Sequence, residues 1–279
     1  MIRIGRISFI PSGIPSGIPA GIPAAMLAGG LLAGVFGSAP ALAADTSFDA
    51  DFVVTLRGFT VGRANFAGSV DGDRYQVHGS LKSAGIARIF ARTEASAQAS
   101  GRISQGAVQP DSFLLNYAQD DQLSRTAIVF RNGDAVSTRV EPKPAAPSAK
   151  AIPITGADLK SVADPVAATL LARGTADQIC GRTLRIYEGG TRIDVRLALK
   201  GTGFVYGAGN RAVTCTGRFI PVAGMERDNK TYDFMREKAD LQFVYVPAGP
   251  GGLHMLHSLT ARTEIGTVQL RSWRRKVKG

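Results

Sequence analysis

Hydrophobic and polar residues alternate along most of the chain, beginning near residue 48. Phe48, Phe52 and Leu56 fall on one side of this pattern, whereas Asp49 and Asp51 fall on the other. Because successive side chains of a strand point to opposite faces, a period of two predicts a half-buried β-strand. The first half of the chain repeats the alternation near residues 64–70, 75–82, 92–102, 112–118, 123–131 and 135–141.

The second half of the chain resumes the same alternation, with turn signals between the runs. Its predicted strands lie near residues 193–200, 211–220, 240–247, 253–263 and 267–275. Asp71-Gly72-Asp73 and Asn132-Gly133 are hairpin turn signals, so neighbouring strands are expected to be antiparallel. So many strands with little helix predict a mainly β protein whose antiparallel sheet is strongly curled, as a clam or an incomplete barrel.

A proline-rich segment and one helix separate the two halves. Three prolines within residues 141–150 predict a stiff, extended connector inside a single β-rich domain, residues 44–279. Asp164 can cap a following helix, Pro165 suits its first turn and Gly174 can end it. We expect this one helix to cap a face or mouth of the sheet.

Two stretches lack the strand pattern. Residues 83–90 contain the apolar residues Ile86, Ile89 and Phe90 and predict a short helix or a loop. Residues 222–239 contain a mixed-charge run and predict a polar, exposed and mobile connection.

The N-terminal segment has the features of a secretory signal. Arg3 and Arg6 precede a short apolar run at residues 26–37, and Ala41-Leu42-Ala43 supplies a small-residue cleavage site. The alternative is a membrane anchor, but the run is shorter than the roughly 20 residues that a spanning helix needs. Residues 1–43 are therefore predicted to be a signal peptide that is cleaved near Ala43 and directs the protein to the periplasm.

The two cysteines, Cys180 and Cys215, lie in the predicted exported part. In an oxidising compartment, an isolated pair is most simply a disulfide. Two buried free thiols are the alternative, since pairing requires matching geometry. A catalytic redox pair would normally have Cys-x-x-Cys spacing, which is absent here. We therefore predict a structural Cys180–Cys215 bridge.

The charge of the protein is strongly basic. Its 33 Lys and Arg against 22 Asp and Glu give a formal net charge of +11, while 44% hydrophobic residues exclude a disordered chain. After export, anionic lipid headgroups or acidic envelope polymers are more accessible partners than nucleic acid. A solvated basic face without a partner is the alternative interpretation. The most concentrated basic residues form a predicted C-terminal tail: Arg271, Arg274, Arg275, Lys276 and Lys278.

Motifs for catalysis and for metal or cofactor binding are missing from the sequence. It has neither a Gly-x-Ser-x-Gly elbow nor a nucleotide-binding glycine loop that leads into a helix. His254 and His257 lie on a predicted strand, where residues three apart point to opposite faces and would not converge on one metal ion. We predict a non-catalytic protein without a metal or other cofactor.

Several short motifs resemble a family of exported Gram-negative proteins, domain of unknown function 3108. These motifs are Gly58-Phe59-Thr60-Val61-Gly62-Arg63-Ala64, Asp164-Pro165, Cys180-Gly181-Arg182-Thr183-Leu184, Tyr187-Glu188-Gly189-Gly190, Arg192-Ile193-Asp194, Cys215 and Arg218-Phe219-Ile220-Pro221-Val222-Ala223-Gly224. The resemblance spans nearly the whole exported chain and offers no established catalytic residues. By analogy it implies a fold similar to the curled sheets of periplasmic lipoprotein carriers, and fold analogy alone does not establish function.

Two functions of different class follow from these features. In the first, the curled sheet binds a lipid, an acyl chain or an apolar peptide. Its predicted ligand face is Phe48, Phe52, Phe66, Tyr75, Val77 and Leu81, with Val166 and Leu170 of the helix as a lid. The same residues also fit a filled core. In the second, a structural or envelope-maintenance protein binds other envelope proteins through sheet edges or the basic tail, and removing residues 271–279 leaves its fold intact.

Overall fold

The computed structural model describes residues 46–104, 107–205, 209–249 and 252–279. The predicted signal peptide lies outside these residues. The described strands are β1 Thr46–Leu56, β2 Phe59–Asp71, β3 Arg74–Ser83, β4 Thr93–Ser104, β5 Ala107–Gln119, β6 Gln122–Arg131, β7 Asp134–Glu141, β8 Leu171–Arg173, β9 Thr183–Tyr187, β10 Arg192–Val205, β11 Gly209–Ala223, β12 Leu241–Pro247, β13 Leu253–Thr263 and β14 Gly266–Lys278. The described helices are α1 Ala87–Phe90, α2 Pro165–Leu170, α3 Ala176–Cys180 and α4 Lys230–Lys238.

The strands form one large sheet in the order β7-β6-β5-β4-β3-β2-β1-β14-β13-β12-β11-β10-β9, and β8 pairs with β13. Every strand pair is antiparallel, which confirms the predicted mainly β, antiparallel architecture. Asn132 and Gly133 both have positive φ, 55° and 82°. This conformation is the one that a two-residue hairpin between β6 and β7 requires.

The sheet is not closed by strand pairing, but a short segment joins its two edge strands. The backbone N–H of Val162 donates to the carbonyl of Gly133 beside β7 over 2.7 Å. On the other side, the N–H of Ala163 donates to Arg185 of β9 over 2.8 Å. Residues 159–163, the closing segment, therefore bring β7 and β9 together and make the sheet barrel-like.

Helix α2 lies inside the curl of the sheet. It contacts β3, β4 and β5 on one side and β9 and β13 on the other, and Ala167, Ala168 and Leu170 are buried. Asp164 caps it as predicted, because its Oδ1 accepts hydrogen bonds from the N–H groups of Val166 and Ala167. The helix thus fills the interior instead of covering a mouth.

The predicted extent of this helix, up to Gly174, is wrong. The chain leaves the helix after Leu170, and Leu171–Arg173 forms β8 against residues 253–255 of β13. At this level β14 has separated from β13, whose ladder with β14 involves residues 258–263. The free edge of β13 forms backbone hydrogen bonds with β8, and these bonds favour a strand over the helix that the local sequence predicts.

The expectation of a single helix is also inexact, because the described residues contain four. Helix α4 occupies half of the stretch predicted as a polar connection, and Asn229 caps it. Its Tyr232 stacks on Phe219 of β11 with ring centroids 6.1 Å apart, so this stretch is held on the sheet. Helix α3 presents Cys180 to Cys215 of β11, and the predicted disulfide is confirmed.

The basic residues 271–278 are part of β14 and do not form a free tail. β14 pairs with β1 from Val268 to Lys278, in the middle of the sheet order. Arg274 forms an ion pair with Asp51 of β1, and this contact holds the pKa of the Asp51 carboxyl below its ordinary value.

Candidate functional site

The predicted ligand face lies in the hydrophobic core around α2. Five of its residues are buried: Phe48, Phe52, Tyr75, Val77 and Leu170. The other three, Phe66, Leu81 and Val166, are partly buried and pack against the same cluster. The structure therefore brings all eight residues together, with their space occupied by one another and by the helix.

A groove of about 550 Å³ lies beside this core, where β1, β2, β3 and β14 meet the β3–β4 connection. Trp273 supplies exposed apolar surface, whereas Phe52 and Ala64, which also line the groove, are buried, and the Gly85 backbone closes one side. Arg63, Lys82 and Arg88 also line it, so apolar and cationic groups face the same space. Phe52 is the one residue of the predicted ligand face that reaches this groove.

A β-bulge places Trp273 at the groove. Asp51 of β1 pairs with Arg274, whereas the next residue, Phe52, pairs with Ser272. Trp273 is therefore the extra residue of β14 and its side chain is 61% exposed. A bulge re-aims a side chain that regular alternation would direct elsewhere. The protein contains one tryptophan, and it stands at this site.

The polar groups of the groove divide into paired and unpaired ones. Asp51 accepts a hydrogen bond from Asn65 Nδ2 over 2.8 Å and pairs with Arg274, so its negative charge is already neutralised. Lys82 Nζ lies 3.4 Å from Glu94 in an exposed ion pair. Arg63 and Arg88 form no ion pair with any residue in the described part of the chain. Two guanidinium groups thus remain available for an anion.

Two carboxyls with raised pKa lie away from the groove. Burial raises the pKa of Asp164 to about 6, against the hydrogen bonds that it accepts at the start of α2. The Tyr75 side chain lies close to the Asp164 carboxyl and has the smaller effect of lowering its pKa. Burial likewise raises the pKa of Glu188 to about 7, although its Oε1 accepts from the N–H of Gly190 over 3.0 Å. Asp164 belongs to the interior around α2, and Glu188 directly follows the edge strand β9.

The two histidines of β13 have different surroundings. His254 Nδ1 contacts the carbonyl of Gly252, while His257 is buried and its pKa is lowered, first by burial and then by Arg275 and Arg271. Among the described residues, no group of three or more His, Cys, Asp or Glu side chains is arranged to hold a metal ion. None of the described helices is long and apolar enough to span a membrane.

Comparison with known proteins adds a family to this geometry. Residues 51–271 match the family described as "Protein of unknown function (DUF3108)". The chain belongs to the DUF3108 family. The matched region includes β1 from Asp51, the groove strands β2 and β3, the disulfide and β14 as far as Arg271, so it stops before Trp273.

The DUF3108 fold has a solved structural neighbour. The chain is similar to a beta-barrel-like protein of domain of unknown function DUF1849 from Brucella abortus, with a TM-score of 0.51 and 10% identity. The likeness covers 84% of this chain and 98% of the neighbour, and at this identity it shows the fold alone. The comparison with curated proteins finds no match.

Sequence reasoning missed most of the groove. The sequence pattern predicted a helix or a loop at residues 83–90 and gave no link between this stretch, Arg63, Lys82 and Trp273. These residues are distant in sequence and meet through strand pairing. The single tryptophan within a basic strand was the one local signal that could have suggested a binding role.

Proposed function

We propose that this DUF3108 protein is an exported, non-catalytic binding protein that holds an acyl chain with an acidic head group in the groove. The observation that carries the proposal is the combination of apolar wall and unpaired guanidinium groups around one space of about 550 Å³. Small-molecule sites have volumes of this order and combine apolar lining with a few polar groups that orient the ligand. Such a role would resemble that of the periplasmic lipoprotein carriers, which have similar curled sheets.

The two parts of the groove have different roles in this proposal. Trp273 contacts the hydrocarbon, whose removal from water supplies affinity, beside the buried Phe52 and Ala64. Arg63 and Arg88 bind the carboxylate or phosphate, because a guanidinium presents a fork of N–H donors to such an anion. An apolar peptide segment with an acidic residue has the same combination of groups and is the second ligand class.

Export is supported by two features. The disulfide between Cys180 and Cys215 is typical of proteins that fold in an oxidising compartment. The predicted signal peptide at residues 1–43 agrees with such a compartment. An envelope location would bring the groove close to lipids, which supply ligands of this chemistry.

The envelope-maintenance alternative has less support from the geometry. Both edge strands are hydrogen-bonded to the closing segment at several positions, which leaves shorter edges for a partner strand. Exposed Arg271, Lys276 and Lys278 still form a basic surface on β14, so attraction to an anionic envelope surface remains the second candidate.

The first experiment is native mass spectrometry with lipid extraction on protein purified from the periplasm. A bound acyl species near one equivalent would support the proposal and identify the ligand class. The delipidated protein is then titrated with a long-chain fatty acid while Trp273 fluorescence is followed. We expect a saturable blue shift, because the ligand removes water from the exposed indole.

Charge variants test the head-group site. Arg63→Gln and Arg88→Gln should each raise the Kd for the fatty acid by about tenfold, the usual effect of losing a charged hydrogen bond. Arg102→Gln is the matched control, since Arg102 is exposed on β4 and does not line the groove. A Kd that is equal in all four proteins, or an unsaturable fluorescence change, would contradict the groove as an anionic-amphiphile site.

A further inference from the structure

One end of the sheet carries large apolar side chains that no part of the described structure covers. They lie at the start of β2, directly after the β1–β2 turn, and in the β3–β4 connection: Phe59 is 70% exposed, Ile86 53%, Ile89 79% and Phe90 72%. We call these four residues the rim patch. Scattered exposed apolar residues are ordinary, but four large ones on two neighbouring loops form a patch that indicates an interaction surface.

The two loops of the rim patch are held side by side. The N–H of Ala84 donates to the carbonyl of Val61 over 2.9 Å, which ties the β3–β4 connection to the start of β2. Helix α1 within this connection has no buried residue, so Ile89 and Phe90 contribute nothing to the core. The patch therefore projects from the end of the sheet without a structural role that would explain its apolar residues.

The two segments that carry the rim patch are cationic, whereas Asp120, Asp121 and Glu264 lie on the neighbouring hairpin tips. The whole connection from residue 83 to 92 contains Arg88 and Arg92, both exposed, and no Asp or Glu. Arg57, also exposed, lies in the adjoining turn. Glu94, which follows the connection, is neutralised by Lys82. Exposed apolar side chains with surrounding arginines form the composition that binds an anionic membrane interface.

Neighbouring hairpin tips continue the same end of the molecule. Arg57 Nε donates to the carbonyl of Ile265 over 2.6 Å, and Ile265 of the β13–β14 turn is 59% exposed. On the other side, Asp120 in the β5–β6 turn donates its N–H to the carbonyl of Arg92, and Leu123 beyond it is 72% exposed. Apolar side chains on separate tips suit insertion between lipid headgroups better than contact with a flat protein surface.

We propose that the rim patch docks this protein on an anionic lipid bilayer. The side chains of Phe59, Ile86, Ile89 and Phe90 enter the boundary between headgroups and acyl chains, and Arg57 and Arg92 contact lipid phosphates. This docking does not depend on a ligand in the groove. The β3–β4 connection also forms one wall of the groove, through Ala84, Gly85 and Arg88. Docking would therefore place the groove next to the bilayer surface.

The test is co-sedimentation of the purified mature protein with vesicles of phosphatidylglycerol and phosphatidylethanolamine. The wild type should bind these vesicles, and binding should weaken with added salt and with vesicles of neutral lipid alone. The variant with both Ile89→Asp and Phe90→Asp should bind at least about tenfold more weakly, because it replaces two inserting side chains with charges that anionic lipid repels. Arg92→Gln should weaken binding by a smaller factor.

Phe204→Asp is the matched control for the apolar substitution. Phe204 is 66% exposed near the opposite end of the sheet, so it presents the same chemistry away from the patch. None of the four substituted residues lines the groove, and fatty-acid binding by the variants therefore separates this proposal from the proposed function. Far-ultraviolet circular dichroism of each variant verifies the fold.

Three results would overturn the proposal. The first is a wild-type protein that does not sediment with anionic vesicles. The second is an equal loss of binding in the Phe204→Asp control. The third is a wild-type dimer that the Ile89→Asp and Phe90→Asp variant dissociates while vesicle binding is unchanged, since that result would assign the patch to a second copy of the chain.

Discussion

Asp164 stabilises helix α2 as its N-cap, but its burial destabilises the folded protein when the carboxyl is ionised. Its Oδ1 accepts two N–H groups at the start of α2, a cap of the kind that stabilises a helix by about 1 kcal/mol. The residue is fully buried, and burial raises the pKa of its carboxyl from 3.8 to about 6. The cap was readable from the Asp-Pro pair, whereas the burial depends on strands that fold around the helix.

Asp164 gives a testable dependence of stability on pH. An acid whose folded pKa is raised binds more protons when folded, so it costs stability as pH rises from about 4 to about 6. Glu188 adds the same sign between about 4.5 and about 7. The free energy of unfolding should therefore fall across this window, and a shift of the size seen at Asp164 corresponds to about 3 kcal/mol.

Asp164→Asn should remove the contribution of Asp164 while keeping an oxygen to cap α2. Urea unfolding at pH values on both sides of the window should give a flatter profile for Asp164→Asn, and a flatter one still when Glu188→Gln is added. Asp158→Asn is the control, because hydrogen bonds from Thr155 lower the pKa of Asp158 and it titrates below the window. A slope unchanged by Asp164→Asn would show that this carboxyl is not the buried acid described above.

Strand β14 is the element for which local reading and tertiary structure differ most. Its residues 272–278 look like a basic tail, yet they pair with Ser47–Phe52 of β1. β1 pairs with β14 on one side and with β2 on the other. The ladder between β13 and β14 ends at Arg271, and residues 253–255 of β13 pair with β8 instead. Lys276 and Lys278 are exposed, whereas Arg275 lies opposite the buried Ala50, so the charged residues belong to both faces of a strand that the sheet requires.

Removal of residues 272–279 should therefore prevent stable folding. The truncation exposes the backbone of β1 and the buried side of the sheet near Phe48, and both effects are unfavourable in water. Lys276→Gln with Lys278→Gln is the matched control, since both side chains are exposed and should change stability by less than about 0.5 kcal/mol. Thermal unfolding followed by circular dichroism distinguishes the two. A truncated protein with the melting temperature of the full chain would refute the central role of β14.

At the scale of the whole molecule, the closing segment determines whether the sheet is a curl or a barrel-like body. Arg192 supports it from β10: its side chain is 1% exposed, and Nε donates to the carbonyl of Asp158 over 3.0 Å. Its Nη1 donates to Asp194 over 2.6 Å, so the charge is paired. Closure thus depends on a buried arginine that connects the segment before Leu159 to an inner strand.

Arg192→Met should loosen the closure. Removing one partner of a buried ion pair usually lowers the free energy of unfolding by about 3 kcal/mol or more. Hydrogen exchange should show a selective loss of protection at the N–H groups of Val162 and Ala163, with the β3–β4 ladder less affected. Arg196→Met, at an exposed position of the same strand, is the control. Uniform loss of protection over all strands would show that Arg192 supports the fold as a whole and not the closure.

The sequence by itself determined the described strands other than β8 and β9, the Asn132-Gly133 hairpin, the cap of the interior helix and the disulfide. These features depend on residue periodicity, on turn conformations or on a single pair of thiols, and each can be read within a few residues or from the compartment. Only the tertiary structure decided that the helix stops at Leu170, that residues 159–163 join the sheet edges and that β14 lies at the centre. It also placed Trp273 beside Arg63 and Arg88. The reason is that strand pairing joins residues far apart in sequence, and backbone hydrogen bonds between strands carry no local signal of which strands will meet.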